Sequence, residues 1–128
     1  MAHLGLRRHV AADRLHEGWR STGLVDLVLV AVKMYDLEAA AAQVKPLLST
    51  DTAVVPFQNG VEAQAILERV LGRRYVCGGA AYIAAAIEQP GVIRHVGKGA
   101  RLVFGEPYPT QSWRLETLEA ACRGAGAP

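Results

Sequence analysis

Cysteine is scarce in this chain: Cys77 and Cys122 stand far apart and form no CxxC pair. The four histidines, His3, His9, His16 and His95, show no ligand spacing. Neither a disulfide framework nor a metal site is expected, and two reduced thiols in a cytoplasmic protein is the better reading. Charge of one sign is lacking too. Lys and Arg number 14 against 12 Asp and Glu, a formal net charge of +2, with no basic run or stripe. That balance does not suit a nucleic-acid footprint. Long apolar runs are missing as well, because Asp26 interrupts Leu24–Val32 and Ala80–Ile87 is far below bilayer-spanning length. Arg7, Arg8 and His9 have no apolar segment behind them, so the N-terminus does not read as a secretory signal. What is present is a chain of 128 residues with 51% apolar content, one domain's worth of sequence with enough apolar side chains for a core.

Met1–Gly23 carries no clean hydrophobic period, although a helix through Val10–Trp19 is compatible with it. From Val25 the pattern sharpens. Val25–Val32 is an almost continuous aliphatic run, suited to a strand buried on both faces of a parallel sheet. Lys33 ends it, and Asp36 stands in N-cap position before the helix-forming stretch Leu37–Val44, which Pro46 and Ser49-Thr50-Asp51 close. A second strand is expected at Thr52–Phe57, followed by Gln58-Asn59-Gly60 and a helix through Val61–Leu71 that Gly72 stops. This alternation has the spacing of βαβ units. Tyr75–Ile83 reads as a third strand, rich in Gly and Ala where something must approach the backbone closely. Val92–Val96 and Arg101–Phe104 alternate on either side of Gly97-Lys98-Gly99, which predicts an antiparallel hairpin turning at those glycines. Ser112–Cys122 reads as an amphipathic helix with Leu115, Leu118 and Cys122 on one side.

In open parallel α/β sheets, ligands bind beyond the carboxyl ends of the strands. Lys33 and Asn59 stand where the chain leaves the first two strands, and Ala84 and Ala85 near the exit of the third. A lysine there offers a fixed positive charge, and an asparagine offers an amide donor and acceptor together. Blander accounts carry equal weight on spacing alone: a solvated surface lysine for Lys33, and turn and capping chemistry for Asn59-Gly60. His95, Tyr75 and Tyr82 read as structural residues, Glu88 and Asp36 do not make a carboxylate pair, and Cys77 reads as an inert thiol.

Four strings in this order resemble the ketopantoate reductase (2-dehydropantoate 2-reductase) family. They are Asp26-Leu27-Val28-Leu29-Val30-Ala31-Val32-Lys33, Val55-Pro56-Phe57-Gln58-Asn59-Gly60-Val61-Glu62, Cys77-Gly78-Gly79-Ala80-Ala81-Tyr82-Ile83 and Pro90-Gly91-Val92-Ile93-Arg94-His95. The resemblance covers roughly Val25–Pro107, about two-thirds of the chain. It implies a Rossmann-like α/β cofactor domain and an NADPH-dependent enzyme that reduces a 2-keto acid, ketopantoate by the family's name, on the route to pantothenate. It further implies that Lys33 contacts the cofactor and that Asn59 touches both cofactor and substrate. Ala85 would lie at a backbone contact to the cofactor.

The sequence also departs from the family. Members begin with a strand and a GxGxxG-type turn that holds the pyrophosphate at a helix N-terminus. Gly5, Gly18 and Gly23 have the wrong spacing for that turn. The resemblance therefore implies a partial domain, 24–128, without its first βα unit, preceded by an ill-defined segment 1–23. The family's proton-donating lysine and its glutamate belong to a C-terminal helical domain that the chain does not reach, so no catalytic residue is expected here. Three readings stay open: an inactive reductase fragment, a non-catalytic interaction module or partner-completed subunit that self-associates through an exposed sheet edge, and a reductase of another 2-keto acid.

Overall fold

The computed structural model of the chain describes residues 23–108 and 112–125. In order they form β1 (Val25–Val30), a 3-10 turn (Met34–Asp36), α1 (Leu37–Val44), β2 (Leu48–Pro56), α2 (Ala63–Leu71), β3 (Gly78–Gln89), β4 (Val92–Gly105) and α3 (Trp113–Gly124). The expected helix in Val10–Trp19 lies outside the described residues.

β1 and β2 are parallel, with Leu27–Val30 facing Ala53–Pro56. Val76 bridges to Val54 in parallel, and the Cys77 amide donates to the Val54 carbonyl at 2.9 Å. β2 is thus the middle of three parallel segments, and its neighbours on both faces follow from strand alternation. Val54 packs against the face of α1 and α2 that carries Leu37, Ala41, Leu67 and Leu71. Ala53 and Val55 point the other way, into a second cluster with Cys77 and Leu118 of α3. The spacing does the same for the helices: α1 buries Leu37, Ala41 and Val44, and α2 buries Ala63, Leu67 and Leu71, one stripe each. Each fully buried leucine contributes about 1.5–3 kcal/mol of transfer free energy. Gly72 ends α2 at φ 100°, a conformation other residues adopt only under strain.

Three expectations change. β1 is not buried on both faces, since Leu29 is 53% exposed; among the described residues β1 has only β2 beside it, so one flank and part of a face stay open. β2 begins at Leu48 rather than Thr52, because Ser49–Thr52 bulge out of register between the Val25–Leu48 and Leu27–Ala53 pairs. The buried Thr52 hydroxyl holds this bulge, donating to the Val25 carbonyl at 2.6 Å and accepting from the Ser49 amide at 2.8 Å. The hairpin does exist, but it joins β3 to β4 through Pro90–Gly91. Gly97-Lys98-Gly99 is not its turn. Residues 96–99 bulge opposite Ala84, between the Ile83–Ala100 and Ala85–His95 pairs, and Gly97 takes φ 106° there. The His95 ring Nε2 lies 3.2 Å from the Gly99 carbonyl and closes the bulge.

The hairpin's two faces differ. Register places Ile83, Ala85, Ile87 and Ile93 on one face, and Ile87 and Ile93 are largely exposed. The other face carries Tyr82, with the Arg101 guanidinium 4.9 Å from its ring centroid, and the Arg94–Glu88 ion pair. Among the described residues no helix is long and apolar enough to cross a membrane.

Candidate functional site

The carboxyl ends of β1 and β2 open onto one rim. Val30 and Pro56 are register partners, and the Phe57 amide donates to the Val30 carbonyl at 2.8 Å. Lys33 follows Val30 by three residues, and Asn59 follows Pro56 by three. Both leave the sheet at the same rim, and both are exposed. Lys33 has extended backbone, φ −64° and ψ 151°, and its carbonyl accepts from the Asp36 amide at 3.0 Å, which opens the 3-10 turn. Asn59 sits in the bend before α2, followed by Gly60 at φ 101°.

Ala85 is not brought to this rim. It lies well along β3, opposite His95 and exposed on the hairpin. Ala84 and Ala85 do not mark the exit of a third parallel strand, because parallel pairing ends at Val76–Cys77 and the chain then joins β4. The third component of the rim is Gly78-Gly79 instead. A Cβ on Gly79 would stand 2.3 Å from the Pro56 carbonyl oxygen and 2.7 Å from Val55 Cγ1. Only a residue without a side chain lets β3 cross the end of β2 so closely, which is the close approach the glycine-rich run suggested.

A cleft of about 520 Å³ opens where the end of β2, the start of α2 and the base of the hairpin meet. Pro56, Gln58, Gly60, Gln64, Gly79 and Glu106 are among its lining residues, while Lys33 and Asn59 lie on the rim outside that lining. Both side-chain amide atoms of Gln58 are buried without a hydrogen-bond partner. Buried polar atoms are nearly always paired, so an amide with neither atom satisfied calls for an explanation.

Behind the cleft, Glu106 joins two further groups. Its carboxylate takes a 2.8 Å ion pair from Arg114, at side-chain exposures of 11% and 14%, and Cys77 Sγ lies 3.8 Å from its other oxygen. Burial, and then the Glu106 charge, push the Cys77 thiol up to about 11, so the inert thiol expected from sequence is what this position provides. Burial works against the Glu106 carboxylate, but hydrogen bonds from Ser112 and Arg114 and the Arg114 charge outweigh it and hold Glu106 below the ordinary value of 4.5.

Sequence reasoning missed Gln58 as a separate feature, because it was absorbed into the Gln-Asn-Gly string. It also missed the Glu106–Arg114 pair, whose members are far from the strand ends and carry no spacing signal.

A parallel sheet with helices on both faces, and polar side chains gathered past the strand carboxyl ends, defines a Rossmann-like α/β domain. Within that class, a family model for ketopantoate reductase PanE/ApbA matches residues 5–108, and the chain belongs to that family of oxidoreductases. The match starts at residue 5, ahead of Val25 where the four strings begin, so the N-terminal segment carries family likeness that its glycine spacing did not show. The uncharacterized oxidoreductase YkpB of Bacillus subtilis is 33% identical over 106 residues, 83% of this chain and 35% of that protein. A 2-dehydropantoate 2-reductase of Mesorhizobium japonicum is 34% identical over 125 residues, 81% of this chain and 38% of that protein. The crystal structure of a 2-dehydropantoate 2-reductase from Geobacter metallireducens superposes with a TM-score of 0.73 at 31% identity, over 84% of this chain and 35% of that one. The chain thus spans roughly a third of the length of the relatives it matches.

Proposed function

We propose that the chain is the part of an NADPH-dependent 2-keto acid reductase of the 2-dehydropantoate type that receives the nicotinamide end of the cofactor. The observation that carries this reading is the common rim: Lys33 and Asn59 leave adjacent parallel strands three residues past a register pair, at the end where such sheets bind ligands. The residues present fit the group. An exposed ammonium suits a phosphate or ribose oxygen, the Asn59 amide can donate to one oxygen and accept from a hydroxyl, and Gln58 beside it has an amide to satisfy. When bound, the nicotinamide supplies the hydride. The chain's own part is to orient: Asn59 would hold the substrate's reacting oxygen against the cofactor, and Lys33 would fix the cofactor's polar groups. Ketopantoate is the substrate that the family's name favours, and another 2-keto acid would be read by residues beyond this rim.

NADPH fluorescence tests the reading. The purified chain is expected to bind NADPH without saturating in the micromolar range and to catalyse no turnover, and its weak millimolar response should vanish in Lys33→Ala/Asn59→Ala. Micromolar binding, or a millimolar response that the double variant keeps, counts against it.

A second reading is favoured by one observation: among the described residues the outer edge of β1 has no strand beside it. Open strand edges invite pairing with another chain, so the segment would serve as a self-associating or partner-completed subunit. Sedimentation velocity is then expected to show a concentration-dependent dimer. A clean folded monomer across the accessible range would exclude self-association and disfavour the partner-completed form.

A further inference from the structure

The Gln58 amide has a use that the rim residues do not supply. Its Nε2 and Oε1 are both buried and both unpaired, yet the residue lines a cleft that adjoins the Lys33–Asn59 rim. Leaving a buried donor and acceptor unsatisfied costs about 1–3 kcal/mol per group, and an apolar residue of the same length would avoid that loss. The position therefore keeps a group whose partner arrives from outside the chain. The partner's chemistry is constrained by what is missing. A carboxylate brings only acceptors, so it could satisfy Nε2 and would leave Oε1 orphaned, now facing a like charge. A hydroxyl carries one donor and two acceptor lone pairs on a single oxygen, so it reaches both amide atoms at once only through bent bonds. A primary carboxamide brings a donor and an acceptor in one plane, and two amides in register form a cyclic pair that satisfies both. The cleft suits a flat group entering from the rim, because Gly60, where nothing lies within 4 Å of a Cβ, keeps one of its walls free of side chains.

We propose that Gln58 binds the carboxamide of the nicotinamide ring, and that the chain distinguishes a nicotinamide from a nicotinate nucleotide at this residue. Binding would require the side chain to turn its buried amide into the cleft that the residue lines. This inference rests on the reading of the rim as the cofactor site, and its test separates the two.

The probes are nicotinamide mononucleotide and nicotinic acid mononucleotide, which differ only in carboxamide against carboxylate. Each is titrated at millimolar concentration into the ¹⁵N-labelled chain while the side-chain NH₂ signals are followed, the Gln58 pair being assigned by its loss in Gln58→Met. The amide nucleotide is expected to shift both Asn59 and Gln58, and the acid nucleotide Asn59 alone. Gln58→Met is expected to weaken binding of the amide nucleotide about tenfold, the loss of one to two hydrogen bonds. It should leave the acid nucleotide unchanged and should raise the melting temperature, since two orphaned atoms are removed. If Asn59 shifts and Gln58 does not, or if the two nucleotides move Gln58 equally, the assignment of Gln58 is wrong while the rim reading stands. If neither residue responds to either nucleotide, both fall. A Gln58→Met chain that melts lower and binds the amide nucleotide undiminished marks Gln58 as a structural residue and also overturns the proposal.

Discussion

Replacing Arg114 with alanine is expected to lower the urea midpoint of the chain by the equivalent of about 1.5–3 kcal/mol, the effect of removing charged hydrogen bonds from a part-buried ion pair. Folded domains of this kind have only about 5–15 kcal/mol in hand, so the loss is a large share of the total. The size of the effect comes from what Arg114 joins. Nη2 reaches Glu106 at 2.8 Å, Nη1 donates to the Thr52 carbonyl at 2.9 Å and the Arg74 carbonyl at 3.0 Å, and Nε donates to the Ser112 hydroxyl at 3.3 Å. One side chain thereby ties the start of α3 to the bulge in β2, to the turn after α2 and to the end of β4. Its removal also leaves Glu106 charged, part-buried and next to a thiol. The pH profile separates this from simple loss of packing. Glu106 has its folded value held below the unfolded 4.5, so its contribution is complete above 4.5 and fades as the pH falls through the folded value. The wild-type chain should lose stability over that acid window, and Arg114→Ala should lose less of it. An unchanged midpoint at neutral pH would show that α3 docks without this pair.

Gly79→Ala should destabilise by about 3 kcal/mol, the upper end of what overpacking does in a tight site. The added methyl meets the Pro56 carbonyl at 2.3 Å and Val55 Cγ1 at 2.7 Å, and neither is the free end of a flexible chain. Either β3 lifts off β2 or β2 shifts within its two-sided core. Gly99→Ala is the matched control: nothing lies within 4 Å of a Cβ there, so the same loss of glycine should change the midpoint little. Equal effects at the two sites would mean that backbone freedom, and not the close crossing, sets the cost. Because Gly79 also lines the cleft, the shift should change its shape, and the nucleotide titrations should report this at Asn59 and Gln58.

The parts legible from sequence are those governed by local periodicity. The stripes of α1 and α2, and the set of Leu115, Leu118 and Cys122 on α3, each face a core as their spacing requires. The positions of Lys33 and Asn59 at one rim follow from the βα rhythm itself. The hairpin was misread for a physical reason. Two glycines around Lys98 resemble a turn, but Pro90–Gly91 is the tighter reversal, and a bulge needs left-handed backbone at Gly97 just as a turn would. Local chemistry could not separate the two, whereas the register across twelve- and fourteen-residue strands does. The reading of Ala84 and Ala85 as the exit of a third parallel strand failed for the same reason, since parallel pairing stops at Val76 and the chain then joins β4. Arg114 and Glu106 were out of reach because their meeting depends on α3 folding back against β2, a long-range event with no trace in nearby residues.

Five successive positions of β2, Thr52 through Pro56, are shut away from water on both faces, while the outer hairpin from Tyr82 to Val96 is open along its length. The chain's freedom to drift is therefore divided unevenly. A charge introduced anywhere in the first stretch has no solvent to turn to. The second can exchange residues widely, with its rules of pairing intact, and it is the natural place for an engineer to attach a tag or insert a loop.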